Sequence, residues 1–238
     1  MNLVVDYGNT LAKVGVFDEH TLIRAQTFDN EQSLKIFLEN FSADNFILSS
    51  VVHAADPVLA WAQAKRKFTL TTELPLPIQN LYATPHTLGV DRIAGICGAH
   101  QRFKNSDCVV IDTGTCVTYD FLDREGKYHG GSISPGMQMR FQAMHSFTAK
   151  LPRVAHHDNP PLVGNTTETC LQSGVVHGMT EEINGIIMRY RQKFGDIRAI
   201  LCGGDALFFE NKLKGPIFAI PELVLSGLNS ILIYNVGS

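Results

Sequence analysis

The sequence has few cysteines, and none of them is spaced for a metal site or a redox pair. Five of the 238 residues are cysteine, and no two follow the C-x-x-C pattern that a zinc site or a redox pair requires. We therefore expect reduced cysteines that act as small apolar residues in a cytoplasmic protein.

Long apolar runs and an excess of one charge are also missing. No stretch approaches the ~20 consecutive apolar residues of a membrane span, and Met1 leads through an apolar run to Asp6 without a basic secretion signal. The chain carries 20 Lys and Arg against 23 Asp and Glu, a formal charge of -3. Because no basic patch is present to attract a nucleic acid, the sequence predicts a small-molecule ligand, with no membrane and no nucleic-acid partner.

Two common nucleotide-binding motifs are absent as well. The Walker A pattern G-x-x-x-x-G-K-[ST] does not occur, and no G-x-G-x-x-G opens a helix after a strand. Both P-loop and dinucleotide-binding classes are therefore excluded.

An Asp-x-Gly turn after an apolar strand pattern occurs twice. One turn contains Asp6 and Gly8, the other contains Asp112 and Gly114, and each leads into a second strand pattern as in a hairpin. The shared context indicates an internal duplication.

The duplication sets the expected domain organisation. We predict two halves, at about residues 1–100 and 101–238, because the two turns lie near the start of each half.

Each turn has the composition of a phosphate-binding loop. A tight turn at a strand end directs backbone N–H groups inward, and glycine lets a phosphate approach the backbone. Asp6 is then placed to hold the Mg²⁺ that accompanies ATP. The second turn lacks lysine and is rich in hydroxyl groups, which suits a triphosphate or a weakly bound cation at Asp112. Alternatively, each is an ordinary hairpin turn, in which the aspartate is present only because it favours turn formation.

Helical periodicity fills the segments between these strands. We predict helices over 31–40, 58–67, 88–103 and 221–236, and a long one opened by a capping pair, Asn165 and Glu168. The helix over 88–103 has a face of small residues, formed by Ala94, Gly95, Gly98 and Ala99. Because glycine costs helix stability, we expect another element to pack closely on that face.

Three glycine turns at strand ends, the third at Gly203 and Gly204, resemble the phosphate-one, phosphate-two and adenosine motifs of the actin, heat-shock chaperone and sugar kinase superfamily. Over essentially the whole chain, the ordered motifs are similar to those of type III pantothenate kinases. They are Asp6-Tyr7-Gly8-Asn9-Thr10, Asn80-Leu81-Tyr82, Gly89-Val90-Asp91-Arg92, 130–136, 148–152 and 221–228.

The resemblance implies an α/β fold of two duplicated actin-like (ribonuclease H-like) domains, each a mixed sheet flanked by helices, with an ATP cleft between them. It implies ATP-dependent phosphorylation of pantothenate to 4′-phosphopantothenate, the first step of coenzyme A biosynthesis, by a homodimer. The apolar stripe from Leu171 to Tyr190 is the candidate for the buried face of that dimer.

The resemblance also implies a set of site residues. The ATP contacts would be Asp6, Tyr7, Gly8, Asn9, Thr10, Leu11, Ala12, Lys13 and Thr115. The pantothenate contacts would be Tyr82, Gly89, Val90, Asp91, Arg92 and Thr167. Asp91 would be the catalytic proton acceptor, Asp6 would hold Mg²⁺ with ATP, and Asp112 would hold a monovalent cation, K⁺ or NH₄⁺.

The chemistry of the residues agrees with these assignments. Asp91 lies in the first turn of a predicted helix, whose dipole favours the ionised carboxylate. Because an aspartate is a weak base towards an alcohol, its main task is to orient the hydroxyl and accept the proton late. The planar fork of Arg92 suits a carboxylate such as that of pantothenate. Val90, Cys116 and Phe147 depart from the usual family residues, and Val90 is expected to narrow the pocket.

Two other functions fit part of this pattern. The nearest is a kinase of the same superfamily that acts on a sugar or polyol, which would leave Arg92 without an anionic partner. The other is a nucleotide-binding regulatory protein without turnover, against which the intact Asp6, Asp91 and Asp112 argue.

Overall fold

Strands and helices alternate in the structure, a computed structural model that describes residues 1–8, 11–50 and 55–237. The strands are β1 Asn2–Tyr7, β2 Ala12–Asp18, β3 Thr21–Phe28, β4 Ser42–Ser50, β5 Gln63–Thr69, β6 Gln79–Asn80, β7 Asp107–Thr113, β8 Cys116–Leu122, β9 Lys127–Pro135, β10 Ile197–Cys202 and β11 Phe218–Ala219. The helices are α1 Glu31–Asn40, α2 Ala55–Trp61, α3 Val90–Arg102, α4 Met137–Ser146, α5 Thr167–Phe194, α6 Ala206–Glu210 and α7 Leu223–Val236.

The strands form two sheets that follow the same path. The first has the order β3-β2-β1-β4-β5, and the second has the order β11-β10-β7-β8-β9-β6. Within the first, β1 is antiparallel to β2 and parallel to β4. Within the second, β7 is parallel to β10 and is joined to its other neighbour, β8, by a two-residue turn, which only antiparallel strands allow. The predicted fold class, two mixed sheets flanked by helices, is therefore confirmed.

The chain divides into two compact units. The first comprises residues 1–106, 120–130 and 222–238, and the second comprises residues 107–119 and 131–221. These units are defined by compactness, whereas the halves 1–100 and 101–238 were inferred from the repeat and stay a prediction.

In the first unit, one face of the sheet is covered by α1 and α2. Leu3 and Val5 of β1 form a buried cluster with Leu34 and Leu38 of α1. The helix begins where its sequence predicts, because the side chain of Asn30 accepts a hydrogen bond from the Ser33 N–H (2.8 Å) and caps the first turn.

The small face of α3 packs against α7. A Cβ atom on Gly227 of α7 would overlap the carbonyl oxygen of Ala94, and one on Gly98 would overlap the carbonyl oxygen of Leu223. The predicted close approach at Ala94 and Gly98 is confirmed, and glycine is required there for packing and not for an unusual dihedral angle.

The predicted helix over 58–67 is wrong in its second half. Helix α2 ends at Trp61, and β5 then runs parallel to β4, with Ala43 opposite Ala64. Pairing with β4 outweighs the local helical pattern. The exposed basic residues 65–67 lie on the edge strand of the sheet, where lysines discourage pairing with other chains.

In the second unit, α5 packs against β7, β10 and α4. Its N-cap is Thr166, which forms a capping box with Thr169, so the predicted cap at Asn165 is one residue too early. The helix ends at Phe194, and the C-cap residue Gly195 has a φ of 81°, a positive value that glycine commonly adopts after a helix.

The apolar stripe of α5 forms part of the core of its own unit. Leu171, Val175, Met179 and Ile183 are buried in the single chain. These four residues pack within the chain, whereas Ile186 and Tyr190 of the same stripe are partly exposed. The predicted subunit contact on this stripe stays a prediction.

Among the described residues, no helix combines the length and the apolar character that crossing a membrane requires.

Candidate active site

The first Asp-x-Gly turn begins at the end of β1. Asp6 is partly buried, opposite Ser49 in the parallel register of β1 and β4, and the hydroxyl of Ser49 donates to Oδ1 of Asp6 (3.2 Å). The Gly8 N–H donates to the Leu11 carbonyl (3.1 Å) and closes the turn. The carboxylate thus lies at the end of a buried strand, oriented by the neighbouring strand.

The other predicted ATP contacts of the first turn differ in exposure. Tyr7 and Ala12 are buried, Lys13 is partly buried and Leu11 is exposed. Burial, helped by the charge of Glu31, raises the pKa of Tyr7 above 10.0, so Tyr7 is a neutral side chain of the core. The predicted contacts Asn9 and Thr10 lie outside the described residues.

The second Asp-x-Gly turn has the same construction. Asp112 is opposite Cys202 in the parallel register of β7 and β10, and the thiol of Cys202 donates to Oδ2 of Asp112 (3.6 Å). The Gly114 N–H donates to the Cys116 carbonyl (3.1 Å) and closes this turn.

The third glycine turn lies against Asp112. Gly203 has a φ of 91°, and a Cβ atom on it would come 2.5 Å from Oδ1 of Asp112 and 2.6 Å from the Thr113 nitrogen. The bare backbone of Gly203 therefore packs directly against the Asp112 carboxylate and Thr113, at a position where a side chain would overlap them.

Gly136, which follows β9 and is the N-cap residue of α4, supports the second turn. Its N–H donates to the Thr115 carbonyl (3.1 Å), and a Cβ atom on Gly136 would overlap the carbonyl oxygens of Gly114 and Thr115. The side chain of Thr115 is exposed, so its backbone is fixed while its hydroxyl faces solvent.

An ion pair joins α4 to α5 in the same unit. Arg140 donates to Oε2 of Glu182 (2.6 Å), and the hydroxyl of Tyr119 donates to Oε1 (3.0 Å). Burial alone would raise the pKa of Glu182, but the hydrogen bonds from Arg140, Ser134 and Tyr119 hold it below its usual value. Glu182 is therefore a charged member of this contact.

The start of α3 places the predicted catalytic Asp91. Gly89 is the N-cap residue, and Asp91 lies in the first turn, as predicted. Its Oδ1 accepts a hydrogen bond from the Arg92 N–H (2.9 Å), and a Cβ atom on Gly89 would come 2.5 Å from this oxygen. The absence of a side chain at Gly89 thus lets the Asp91 carboxylate lie against the start of the helix. The side chain of Asp91 is exposed there. Val90, the first helical residue, is partly buried.

The surroundings of Arg92 differ from those predicted. Arg92 is only 9% exposed, and its Nε and Nη2 donate to the carboxylate of Asp120, Nη2 at 2.6 Å. Burial lowers the pKa of Arg92, but the carboxylate of Asp120 raises it by more, so the guanidinium stays charged. We expected Arg92 to be available to a substrate carboxylate, whereas its fork already binds a carboxylate of its own unit.

Tyr82 lies beside this pair. Its ring stacks on that of Tyr128 with an interplanar angle of 6°, and Cζ of Arg92 lies 5.6 Å from its ring centroid. The structure thus brings together two predicted pantothenate contacts, Tyr82 and Arg92.

Thr167, the remaining predicted pantothenate contact, belongs to the second unit. It is the first residue of α5, is exposed, and lines an open groove of about 610 Å³. Met144, Leu151 and Gly174 also line this groove.

Sequence reasoning missed Ser49, Cys202, Asp120 and Tyr128. Asp120 had a recognisable signal, because it follows the strand pattern Val117-Thr118-Tyr119 and precedes two further apolar residues, and an aspartate inside a buried strand requires a partner. Ser49 and Cys202 gave no signal, since only the sheet registers place them beside the aspartates.

The strand order and the two turns define the class of protein. Two sheets with the same strand path, each with an Asp-x-Gly turn after a central strand, are characteristic of actin-like ATPases and sugar kinases. A Campylobacter jejuni crystal structure assigned to the Baf family of transcriptional activators is similar over 99% of this chain and 100% of its own, with a TM-score of 0.64 and 21% identity. An activator of 2-hydroxyisocaproyl-CoA dehydratase from Clostridium difficile, solved with ADPNP, covers 99% and 94% with a TM-score of 0.53 and 10% identity. These likenesses show the fold.

The family follows from sequence comparison. Residues 2–189 match the model of the type III pantothenate kinase family. A type III pantothenate kinase from Bacteroides fragilis is 43% identical over 100% of this chain and 99% of its own length. The chain belongs to the type III pantothenate kinase family.

Proposed function

We propose that this protein transfers the γ-phosphoryl group of ATP to the primary hydroxyl of pantothenate and yields 4′-phosphopantothenate, the first step of coenzyme A biosynthesis. Beside the family membership, one observation carries the proposal: Asp6 and Asp112 occupy equivalent strand ends, each followed by a glycine turn. Paired turns of this kind suit a polyphosphate.

The first turn is proposed to bind the phosphates of MgATP. Its contacts would be Asp6, Tyr7, Gly8, Asn9, Thr10, Leu11, Ala12 and Lys13, with Thr115 from the second turn. A carboxylate at the end of a buried strand offers the oxygen ligand that Mg²⁺ prefers, so the donor chemistry of Asp6 fits the ion, directly or through water. When bound, Mg²⁺ neutralises charge on the phosphates.

Asp112 is proposed to hold a monovalent cation, K⁺ or NH₄⁺. The carboxylate of Asp112 at the end of β7 supports this proposal, because carboxylate oxygens are ligands that hard cations take. The bound ion would add positive charge near the phosphates.

The start of α3 is proposed as the acceptor site. The pantothenate contacts would be Tyr82, Gly89, Val90, Asp91, Arg92 and Thr167. Asp91 would accept a hydrogen bond from the pantothenate hydroxyl and orient it. As the hydroxyl oxygen bonds to the γ-phosphorus and the bond to ADP breaks, the proton passes to Asp91. Because Arg92 is already paired with Asp120, it would not offer the substrate an unpaired positive charge. It would contribute instead to the shape of the pocket and to hydrogen bonding with the substrate.

No covalent enzyme intermediate is needed in this reaction. Catalysis would rest on positioning and on neutralising the charge of the phosphates. The proposal includes a homodimer in the cytoplasm, where ATP, Mg²⁺ and K⁺ are available.

ADP release from the purified chain tests this function. With MgATP and K⁺, release should depend on added pantothenate, and mass spectrometry should find one phosphoryl group on the pantothenate. A panel of sugars and polyols is the matched control. Release that follows a sugar and ignores pantothenate would refute the proposal.

A further inference from the structure

Asp120 is a buried carboxylate that the function proposed above does not use. It is 1% exposed, and it accepts hydrogen bonds from Nε and Nη2 of Arg92 and from the hydroxyl of Tyr128 (2.7 Å). Both oxygens of Asp120 receive donors, so neither is buried without a hydrogen-bond partner.

The two partners of Asp120 lie on the ring of Tyr82. Tyr128, fully buried, stacks on this ring with a centroid distance of 6.1 Å, and the Arg92 guanidinium lies 5.6 Å from the Tyr82 centroid. A single carboxylate therefore fixes the two side chains that set the position of Tyr82.

The backbone of β9 completes the seat of Tyr82. Gly130 has a φ of 90°, and a Cβ atom on it would come 3.0 Å from Cδ2 of Tyr82. The Leu81 N–H donates to the Tyr128 carbonyl (2.9 Å), and the Tyr82 N–H donates to Oδ1 of Asn80 (3.0 Å). Both the ring and the backbone of Tyr82 are therefore held by neighbours.

We propose that Asp120 is a positioning residue of the acceptor site, which fixes Arg92 and Tyr128 and, through them, the ring of Tyr82. The inference rests on the proposed function, since Tyr82 and Arg92 are its pantothenate contacts. Asp120 does not touch the substrate in this account. Its loss would loosen pantothenate binding and leave the ATP side intact.

The variant Tyr128→Phe tests the inference with the least disturbance. It removes the hydroxyl that Asp120 accepts and keeps the ring that stacks on Tyr82. We expect the KM for pantothenate to rise on the order of tenfold, because a misplaced binding group contacts the substrate less well. The KM for ATP should stay unchanged. Tyr119→Phe is the matched control, because it also removes a buried hydroxyl bound to a carboxylate, that of Glu182. It should lower the melting temperature and leave the KM for pantothenate as it is.

A double-mutant cycle separates positioning from a general loss of stability. In a Tyr82→Leu background, Tyr128→Phe should change the KM for pantothenate much less than in the wild type, because the two act through one ring. Equal effects in the two backgrounds, or a KM unchanged in Tyr128→Phe, would overturn the inference.

A second variant keeps the inference testable if Tyr128→Phe folds poorly. Asp120→Asn keeps the shape of the side chain and loses the charge that pairs with Arg92, and it should raise the same KM. An unchanged KM would again overturn the inference. Failure of the wild type to phosphorylate pantothenate would instead refute the proposed function, so the two failures are distinguishable.

Discussion

Ser49 and Cys202 occupy equivalent places in the two sheets, each opposite an aspartate in a parallel register and each donating a hydrogen bond to its carboxylate. Ser49 donates to Asp6 at 3.2 Å and Cys202 to Asp112 at 3.6 Å. In both sheets the neighbouring strand thus orients the carboxylate at the end of the central strand. This shared construction is the structural basis for assigning the two aspartates related roles.

Asp6→Asn should remove most of the turnover while the protein stays folded. The amide keeps the shape of the side chain but loses the charge that would hold Mg²⁺ with ATP, so we expect kcat to fall by roughly 100-fold or more. Steady-state rates at saturating MgATP measure this loss, with circular dichroism to verify folding.

Ser49→Ala is the graded companion of that variant. It removes one hydrogen bond to Asp6, and since groups that orient a metal ligand typically contribute about 10–100-fold in affinity, the KM for MgATP should rise within that range. Near-normal rates for Asp6→Asn at saturating MgATP would remove Asp6 from the mechanism.

Activity should rise sharply when K⁺ replaces Na⁺, and Asp112→Ala should abolish that response. The reason is that the carboxylate of Asp112, at the end of β7, would hold the cation. Rates in matched KCl and NaCl at constant ionic strength test this, with Cys202→Ser as a control that keeps a donor to Asp112. Equal rates of the wild type in both salts would leave Asp112 as a phosphate or Mg²⁺ contact.

Gly227→Ala should destabilise the first unit. Its added methyl group would overlap the Ala94 carbonyl oxygen, and forcing two packed helices apart typically costs about 1–3 kcal/mol of unfolding free energy. Gly178→Ala is the matched control, because a Cβ atom on Gly178 of α5 would meet nothing within 4 Å. There the better helix propensity of alanine should stabilise by about 0.5–1 kcal/mol. Urea titrations of both variants give the two signs, and a stabilised Gly227→Ala would contradict the packing account.

The pKa of Glu182 predicts how stability depends on pH. Because the folded protein holds this pKa below the ordinary value of 4.5, its contribution to stability is present above pH 4.5. It is lost as the pH falls through the folded pKa. The difference in unfolding free energy between wild type and Glu182→Gln should therefore shrink under acidic conditions. A difference that stays constant from pH 7 to pH 3 would show that the Arg140–Glu182 pair does not contribute.

The strands on either side of the two turns, the turns themselves and the helix at Asp91 could be predicted because their signals are local. An apolar run that stops at Asp6 or Asp112 marks a strand end whatever it pairs with, and the glycine-rich face of the helix over 88–103 requires a close neighbour. The segment 63–67 was predicted as helix, wrongly, because its strand character comes from pairing with β4. That pairing depends on residues about 20 positions away.

The surroundings of Arg92 could not be predicted for the same reason. Its sequence context gives an arginine in the first turn of a helix, and only the fold brings Asp120 to its guanidinium, 28 residues later in the chain. When the two members of a buried ion pair lie far apart in the chain, the sequence shows two charged residues and does not indicate that they are partners.

The most direct measurement compares the rate at which wild type and Asp91→Asn form 4′-phosphopantothenate, followed by mass spectrometry, with pantothenate binding measured by calorimetry. The asparagine keeps the shape and a hydrogen bond but cannot accept the proton. We therefore expect the wild type to form the product, and the variant to form it about 10²–10⁴-fold more slowly while still binding pantothenate. A normal rate in the variant, or no phosphorylated pantothenate from the wild type, would contradict the account.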